Sequence, residues 1–347
     1  MDKRPGERPT TVRMQDIATD LNLSKMTISK VLRGQMDVSA KTKARVLQRV
    51  KELHYRPNIS ARSLRTGRTL NIGLVVPSLS DPTYTGMART IVQHLRMADY
   101  SVSLSSAEFD PELERREIEQ QLSWQVDALI LASVQSSAEL LQLTKSSQAP
   151  LIHVLSVPNL FKSNSVDLGG EEVGHLAANH LVRVGCKRIA SVCGPRSLSA
   201  HLRLKGFRAA LAEAGQTFRP EMTMTADGGT TSEYERGVVA VQSLLKGKVR
   251  PDGIICDTDL TALGVMDALC AAGIEIPKEI AVIGCGNDAR LCEMRIPLSS
   301  VELSSAEIGE RAAKLALKLL AKDKPAKVKS VVVSPTLVVR ASTARSG

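Results

Sequence analysis

The 347 residues predict a multidomain protein: an all-α helix-turn-helix head followed by an α/β core of two doubly wound parallel-sheet subdomains. Three observations predict it. From Leu70 onward, short apolar runs alternate with helical segments for long enough to build two sheets. Before Leu70 the spacing is that of short amphipathic helices. Charge divides at the same place. Residues 1–68 carry 16 Lys and Arg against 6 Asp and Glu, and the rest carries 30 of each, so the formal net charge of +10 sits on the first fifth. So local an excess fits a polyanionic partner. The length exceeds what one core supports, and 43% hydrophobic with 24% charged residues is a soluble globular composition.

Residues 1–11, polar and holding Pro5, Gly6 and Pro9, read as a disordered basic arm. The head spans 12–56. Ile17, Ala18 and Leu21 make one face of a first short helix. Asn22 sits where the chain must turn, and Asn tolerates the left-handed conformation. Ser24 is an N-cap for a second helix whose inward face is Ile28, Val31 and Leu32. Lys25, Met26, Ser29 and Lys30 share its outer face. A basic outer face entered from a tight turn is the pattern of a DNA-recognition helix. An ordinary helical hairpin with a solvated basic face shows it too. Ser39 caps a third helix to about Leu53, with Val46, Leu47, Val50 and Leu53 as its inner stripe. His54 and Tyr55 read as capping and packing residues, with a phosphate contact by Tyr55 as the sharper reading.

Residues 57–69 form a linker in which Pro57 starts and Gly67 stops about two turns of helix, too short to stand alone. Arg62, Arg65 and Arg68 suit phosphates. Leu64 is the apolar exception: it either packs on the domain below or wedges into a minor groove. Core strands are expected at Leu70–Pro77, Ser101–Ser105, Asp127–Ala132, Leu151–Leu155, Arg188–Cys193, Gly253–Cys256, Ile280–Gly284 and Val331–Val339. Helices are expected near 84–97, 112–123, 172–184, 203–214, 234–245, 261–272 and 305–321.

Other chemistries find little support. The six cysteines lie in the second half with no C-x-x-C pair, and read as buried reduced thiols. Neither an export signal nor an apolar run of membrane-spanning length is seen. Gly284-Cys285-Gly286 is only a fragment of a glycine-rich loop, and no P-loop occurs. The histidines are scattered, and Glu112–Glu119 alternates with Arg115 and Arg116 as a solvated helix face. No enzyme, cofactor or metal is therefore expected.

The ordered set of motifs resembles the lactose-repressor/galactose-repressor (LacI/GalR) family of bacterial regulators from Val12 to Thr343. The head blocks are D-I-A (Asp16–Ala18), L-S-K-M-T-I-S-K-V-L (Leu23–Leu32), V-S-A-K-T (Val38–Thr42) and L-H-Y-R-P-N (Leu53–Asn58). The hinge is A-R-S-L-R-T-G-R-T (Ala61–Thr69). In the core D-P-T-Y (Asp81–Tyr84), R-L-K-G-F (Arg203–Phe207), D-L-T-A-L-G (Asp259–Gly264) and S-P-T-L-V-V-R-A-S-T (Ser334–Thr343) follow. The resemblance implies a core like the type I periplasmic binding proteins over 70–343, with an N-subdomain of about 70–168 and 300–330 and a C-subdomain of about 169–299 and 331–343. It implies a cytoplasmic homodimeric repressor on a pseudo-palindromic operator, nucleoid-associated when bound. No heptad repeat closes the chain, which favours a dimer over a tetramer. Lys25, Met26 and Lys30 match base-reading positions. Ser24, Thr27, Ser29 and Arg13 are placed for phosphates, and Tyr55, Asn58, Ala61 and Arg62 are further DNA-contact positions. Leu64 matches the leucine that enters the minor groove.

The implied effector cleft departs from the family pattern. Arg203 matches the family arginine. Gly169-Gly170, Thr258, Gly286 and Ser232 stand where sugar binders carry Asp-Asn, Asn, Asp and an aromatic. Three readings stay open. The cleft takes a different ligand, an anion held by Arg203 and backbone amides; it takes a sugar through Asp81, Tyr84, Asp257, Thr258 and Asn287; or it has lost small-molecule control. A free-standing sugar receptor and a nucleotide-binding enzyme are the remaining alternatives, and the basic head argues against both.

Overall fold

The computed structural model describes residues 12–32, 37–55, 63, 66–132, 149–155, 164–194, 198–225, 232–321 and 330–345. The chain divides into two compact units, Met1–Thr69 and Leu70–Gly347.

Among the described residues, three helices form the body of the first unit: α1 (Met14–Asp20), α2 (Lys25–Leu32) and α3 (Ala40–Glu52). Asn22, at φ 51°, makes the left-handed turn between α1 and α2. Ser24 then accepts the Thr27 N–H at 3.0 Å, and Ser39 accepts that of Thr42 at 3.2 Å. Both caps are those the sequence marks. Ile17, Ala18, Ile28, Val31, Val46 and Tyr55 form the buried centre. Leu47 is a correction: it is 45% exposed, because it lies one residue off the 46/50/53 stripe that faces inward. The end of α3 is a Schellman closure. His54 takes φ 47° and donates to the Lys51 carbonyl, and Tyr55 donates to that of Val50. Tyr55 and Val50 also join the same apolar cluster, the contact that usually accompanies this cap.

So small a core leaves each cap a large share of head stability. Ser24→Ala is expected to lower the head's unfolding free energy by about 1 kcal/mol, the usual cost of a lost N-cap. Thermal unfolding of the full chain followed on the head's helices checks it; an unchanged transition counts against the cap.

The second unit holds, among the described residues, two six-stranded sheets. The first has β1 (Asn71–Val76), β2 (Ser101–Ser106), β3 (Ala128–Leu131), β4 (Leu151–Val154), β5 (Asn164–Leu168) and β11 (Ser330–Val333), in the order 11-5-4-3-1-2 and all parallel. The second has β6 (Ile189–Cys193), β7 (Thr223–Thr225), β8 (Gly253–Cys256), β9 (Ala281–Cys285), β10 (Ser299–Glu302) and β12 (Thr336–Val338), in the order 12-10-9-8-6-7. Only β12 runs antiparallel there, against β10. Each sheet therefore reverses its strand order once, between β1 and β3 and between β6 and β8. Those are the switch points outside whose carboxyl ends α/β sheets bind ligands.

The strand expected over Val331–Val339 is two strands in different sheets, parted at Ser334-Pro335. Strand β10 belongs to the second sheet and β11 to the first. The crossings expected near 300 and 331 therefore fall after Glu302 and between Val333 and Thr336. Helix α10 (Ser305–Leu320), between these two crossings, packs on the first sheet and on α4 (Pro82–Arg96). Helix α5 (Pro111–Ser123) covers β1 and β2.

The second sheet is flanked by two helix pairs, α6 (Gly170–Arg183) with α7 (Leu198–Glu213), and α8 (Glu233–Lys246) with α9 (Asp259–Ala271). Both pairs meet backbone to backbone through reciprocal glycines. A Cβ on Gly174 of α6 would lie 1.8 Å from the Arg203 carbonyl oxygen, and one on Gly206 of α7 would lie 1.8 Å from that of Glu171. Gly237 and Gly264 repeat this between α8 and α9, at 2.2 Å from the Thr261 oxygen and 2.0 Å from the Tyr234 oxygen. This packing fixes where Arg203 and the start of α8 stand.

Candidate functional site

Helix α2 buries Ile28 and Val31 and turns Lys25 and Met26 outward, with Met26 67% exposed. Ser29 and Lys30 are half-buried beside them. The hydroxyl of Ser24 already serves the Thr27 N–H and lies 2.9 Å from the Thr27 hydroxyl. Lys30 is paired with the carboxylate of Asp37, a pair with 33% and 54% side-chain exposure. Such an exposed pair is held by about 0.2–1 kcal/mol, so Lys30 can exchange one partner for another. Arg13 ends the extended backbone entering α1, with its N–H on the Asp16 carboxylate at 2.7 Å. Tyr55 is only 9% exposed and its phenol is pushed up by burial, which places the ring in the core. Asn58, Ala61, Arg62 and Leu64 lie outside the described residues.

In the core, the carboxyl ends of β1, β6, β8 and β9 bring a second group together. Asp81 caps α4, accepting the Thr83 N–H at 2.7 Å, and Tyr84 follows one turn on, with its ring edge-on to Phe109 at 6.5 Å. From the other sheet, Arg203 donates to the Asp257 carbonyl at 2.7 Å. The Asp257 carboxylate takes Arg236 at 3.3 Å and the Gly194 N–H on the same oxygen, Oδ2. Its other oxygen, Oδ1, is buried with no partner among the described residues, and so are the Nε atoms of Arg203 and Arg236. Buried polar atoms left so cost about 1–3 kcal/mol each. Thr258 caps α9 and donates to Glu233 at 3.0 Å. A mostly apolar pocket opens beside Arg203 and Asp257, lined also by Cys193, Cys285 and Phe207; Asp81, Glu233 and Arg236 do not line it.

Glu233, Arg236 and Gly194 are additions to the residues picked from sequence. Glu233 and Arg236 read there as ordinary charges opening a helix. Only the adjacency of β6 and β8 shows that Arg236 and Gly194 meet on Asp257. Asn287 is held in place: its amide donates to Glu302 at 2.6 Å and accepts from Arg340 at 2.6 Å. Ser232 is the cap of α8, closed reciprocally with Glu235, rather than a ring substitute.

Burial pushes the Asp81 carboxyl up, and the Asp257 charge adds to this against the Thr83 hydrogen bonds and Arg203. Burial also pushes Glu233 up, with Asp81 the next cause, opposed by Thr258 and Arg236. Burial raises Tyr84 too, so its phenol stays neutral. A carboxyl raised on folding binds protons more tightly in the folded state, so its contribution to stability falls as pH rises from the ordinary to the raised value. Glu233→Gln keeps an acceptor for Thr258 and removes the charge. Its melting temperature is expected to exceed the parent's at pH 8 and to converge with it below the ordinary carboxylate range. Parallel melting curves against pH check this; a gain persisting in acid refutes it.

No helix among the described residues is long and apolar enough to cross a membrane. Among them no group of His, Cys, Asp and Glu has the placement of a metal site, and the cysteines are free thiols.

The head, residues 13–58, matches the model of bacterial regulatory proteins of the lacI family, and residues 178–343 match a periplasmic binding protein-like domain. Catabolite control protein A of Staphylococcus aureus is 31% identical over 325 residues, covering 90% of this chain and 94% of that protein. The lac repressor dimer bound to operator and the anti-inducer ONPF superposes with a TM-score of 0.83 at 25% identity, over 96% of this chain and 99% of that one. A complex of the regulator CelR with cellobiose has a TM-score of 0.71 at 25% identity, over 96% and 100%. The fold, the head and near-complete coverage agree, and the chain belongs to the LacI family of bacterial DNA-binding transcription regulators, which are not enzymes.

Proposed function

We propose that this protein is a repressor that binds a pseudo-palindromic operator as a homodimer and releases or tightens on it when a small molecule occupies the core cleft. The observation that carries the reading is α2: two apolar residues hold it in the head while Lys25 and Met26 stand exposed on its outer face, with Lys30 beside them. Lys30 and Lys25 are the donors for guanine O6 and N7, and Met26 lies against a thymine methyl. Ser24, Thr27, Ser29 and Arg13 hold phosphates and set the register. By the family resemblance, Asn58, Ala61 and Arg62 contribute hinge contacts and Leu64 enters the minor groove. Tyr55 acts through the packing of the head more than through direct contact. Asp81, Tyr84, Arg203, Asp257 and Thr258, with Glu233 and Arg236, form the effector site. A cytoplasmic, nucleoid-associated location follows from the DNA partner.

Selection of bound sequences from a random DNA pool by the full chain tests this. Enrichment of a two-fold symmetric motif is expected, lost when residues 1–69 are deleted. A pool that stays random, or enrichment that survives the deletion, overturns it.

A further inference from the structure

The cleft group has a charge balance that limits what it can hold. Two guanidiniums, Arg203 and Arg236, face three carboxyls, Asp81, Glu233 and Asp257. The charged pair between Arg236 and Asp257 has only 12% and 14% side-chain exposure. One Nη of each arginine is already engaged on Asp257. Asp81 and Glu233 accept hydrogen bonds from Thr83 and Thr258, respectively, and among the described residues neither has an ion pair. They stand on opposite subdomains, Asp81 after β1 and Glu233 at the start of α8, yet the charge of Asp81 acts on Glu233.

What remains for a ligand is therefore divided. On one side are the Nε–H groups of Arg203 and Arg236, buried and, among the described residues, without acceptors. On the other are the carboxyls of Asp81 and Glu233 and the bare Oδ1 of Asp257, all acceptors. A purely anionic ligand satisfies the arginines and adds to the negative surplus. A neutral polyol hydrogen-bonds to both halves but brings no cation to the carboxyls and no anion to the guanidiniums, and a lone cation leaves both Nε–H groups unanswered. The polyol also finds no ring at Ser232, which is committed to capping α8. A ligand with a cationic and an anionic end answers both halves.

We infer that the effector is a zwitterionic amino compound of amino-acid size, its ammonium between Asp81 and Glu233 and its carboxylate on the Nε edges of Arg203 and Arg236. This rests on the reading that the cleft controls the head. The ammonium joins two subdomains that otherwise meet on like charges, so the ligand favours the closed cleft.

The test is calorimetric titration of the full chain with each of the twenty L-amino acids, D-glucose, D-gluconate and butylamine. At least one amino acid is expected to bind with a dissociation constant below the millimolar range. Its N-acetyl and its carboxamide derivatives should each bind at least 30-fold more weakly, which probes both ends without altering the protein. Glu233→Gln and Arg236→Lys should each weaken the parent ligand at least 10-fold. Binding of glucose, gluconate or butylamine in preference to every amino acid overturns the inference, and so does binding by none of the twenty. Operator affinity, measured on the same samples, separates the two readings. An amino acid that binds and leaves operator affinity unchanged supports the ligand class while refuting control by the cleft. Intact operator binding with no amino acid bound refutes the ligand class alone.

Discussion

Gly206→Ala is expected to destabilise the core by about 3 kcal/mol or more, at the upper end of overpacking costs. The added Cβ meets the Glu171 carbonyl oxygen at 1.8 Å and the His175 nitrogen at 2.9 Å, and these are backbone atoms of a packed helix. No rotamer relieves them; α6 and α7 must move apart. The separation cannot stay local, because Gly174 makes the reciprocal contact on Arg203 itself. Arg203 would then lose its 2.7 Å bond to the Asp257 carbonyl, and the cleft its best-fixed cation. A fall in the melting temperature of the core, with head helices still formed, is the expected signature. Gly215→Ala serves as the contrast. It meets nothing within 4 Å and strains only the backbone, at φ 66°, for a cost of about 1 kcal/mol. Equal effects at the two positions would mean that helix contact is not what Gly206 provides.

The strands not expected from the sequence are β5, β7 and β10, and two of them, β5 and β10, bury polar residues. In β5, Ser165 and Asp167 are buried, and Asp167 accepts Ser165 at 2.5 Å and Ser330 at 2.8 Å. In β10, Ser299 and Ser300 are buried on Ser342, Arg340, Thr343 and Asp259. Ser299 and Ser300 are satisfied by partners more than 40 residues away, and Asp167 takes Ser330 from the far end of the chain, so no local pattern marks these strands as interior. The same holds at the cleft. Arg203 is legible because it stands three residues before Gly206-Phe207. Arg236 and Gly194 gain meaning only from Asp257, which long-range strand pairing brings to them. The partners that hold Asn287, Glu302 and Arg340, likewise arrive from later in the chain. In the head the relevant spacings are short, so the turn at Asn22 and the caps at Ser24 and Ser39 are visible without tertiary contacts.

Lys30→Ala is expected to weaken operator binding by roughly 30- to 150-fold. A single side chain reading a base edge is worth about 1–3 kcal/mol, and a lysine without the planar fork of arginine falls at the low end. Two heads on a symmetric site each lose it, so about 1–1.5 kcal/mol is counted twice. The loss should be concentrated at one symmetric pair of base positions, with little change in binding to random DNA. Asp37→Asn should act in the opposite sense. In the free head Asp37 holds Lys30, and near DNA it adds a like charge to the phosphates. Removing it should raise affinity for operator and random DNA alike and relax discrimination, since the lysine is no longer aimed. Lys51→Ala removes the same charge from the end of α3, outside α2, and should change affinity by no more than about threefold. Titrations of operator and random DNA at several salt concentrations separate the contributions. Loss of a phosphate contact lowers the slope of log K against log salt by about 0.9 per head, whereas loss of base reading shows as altered sequence preference. Were Lys51→Ala as damaging as Lys30→Ala, net charge alone would account for binding, and α2 would not be the helix that reads the bases.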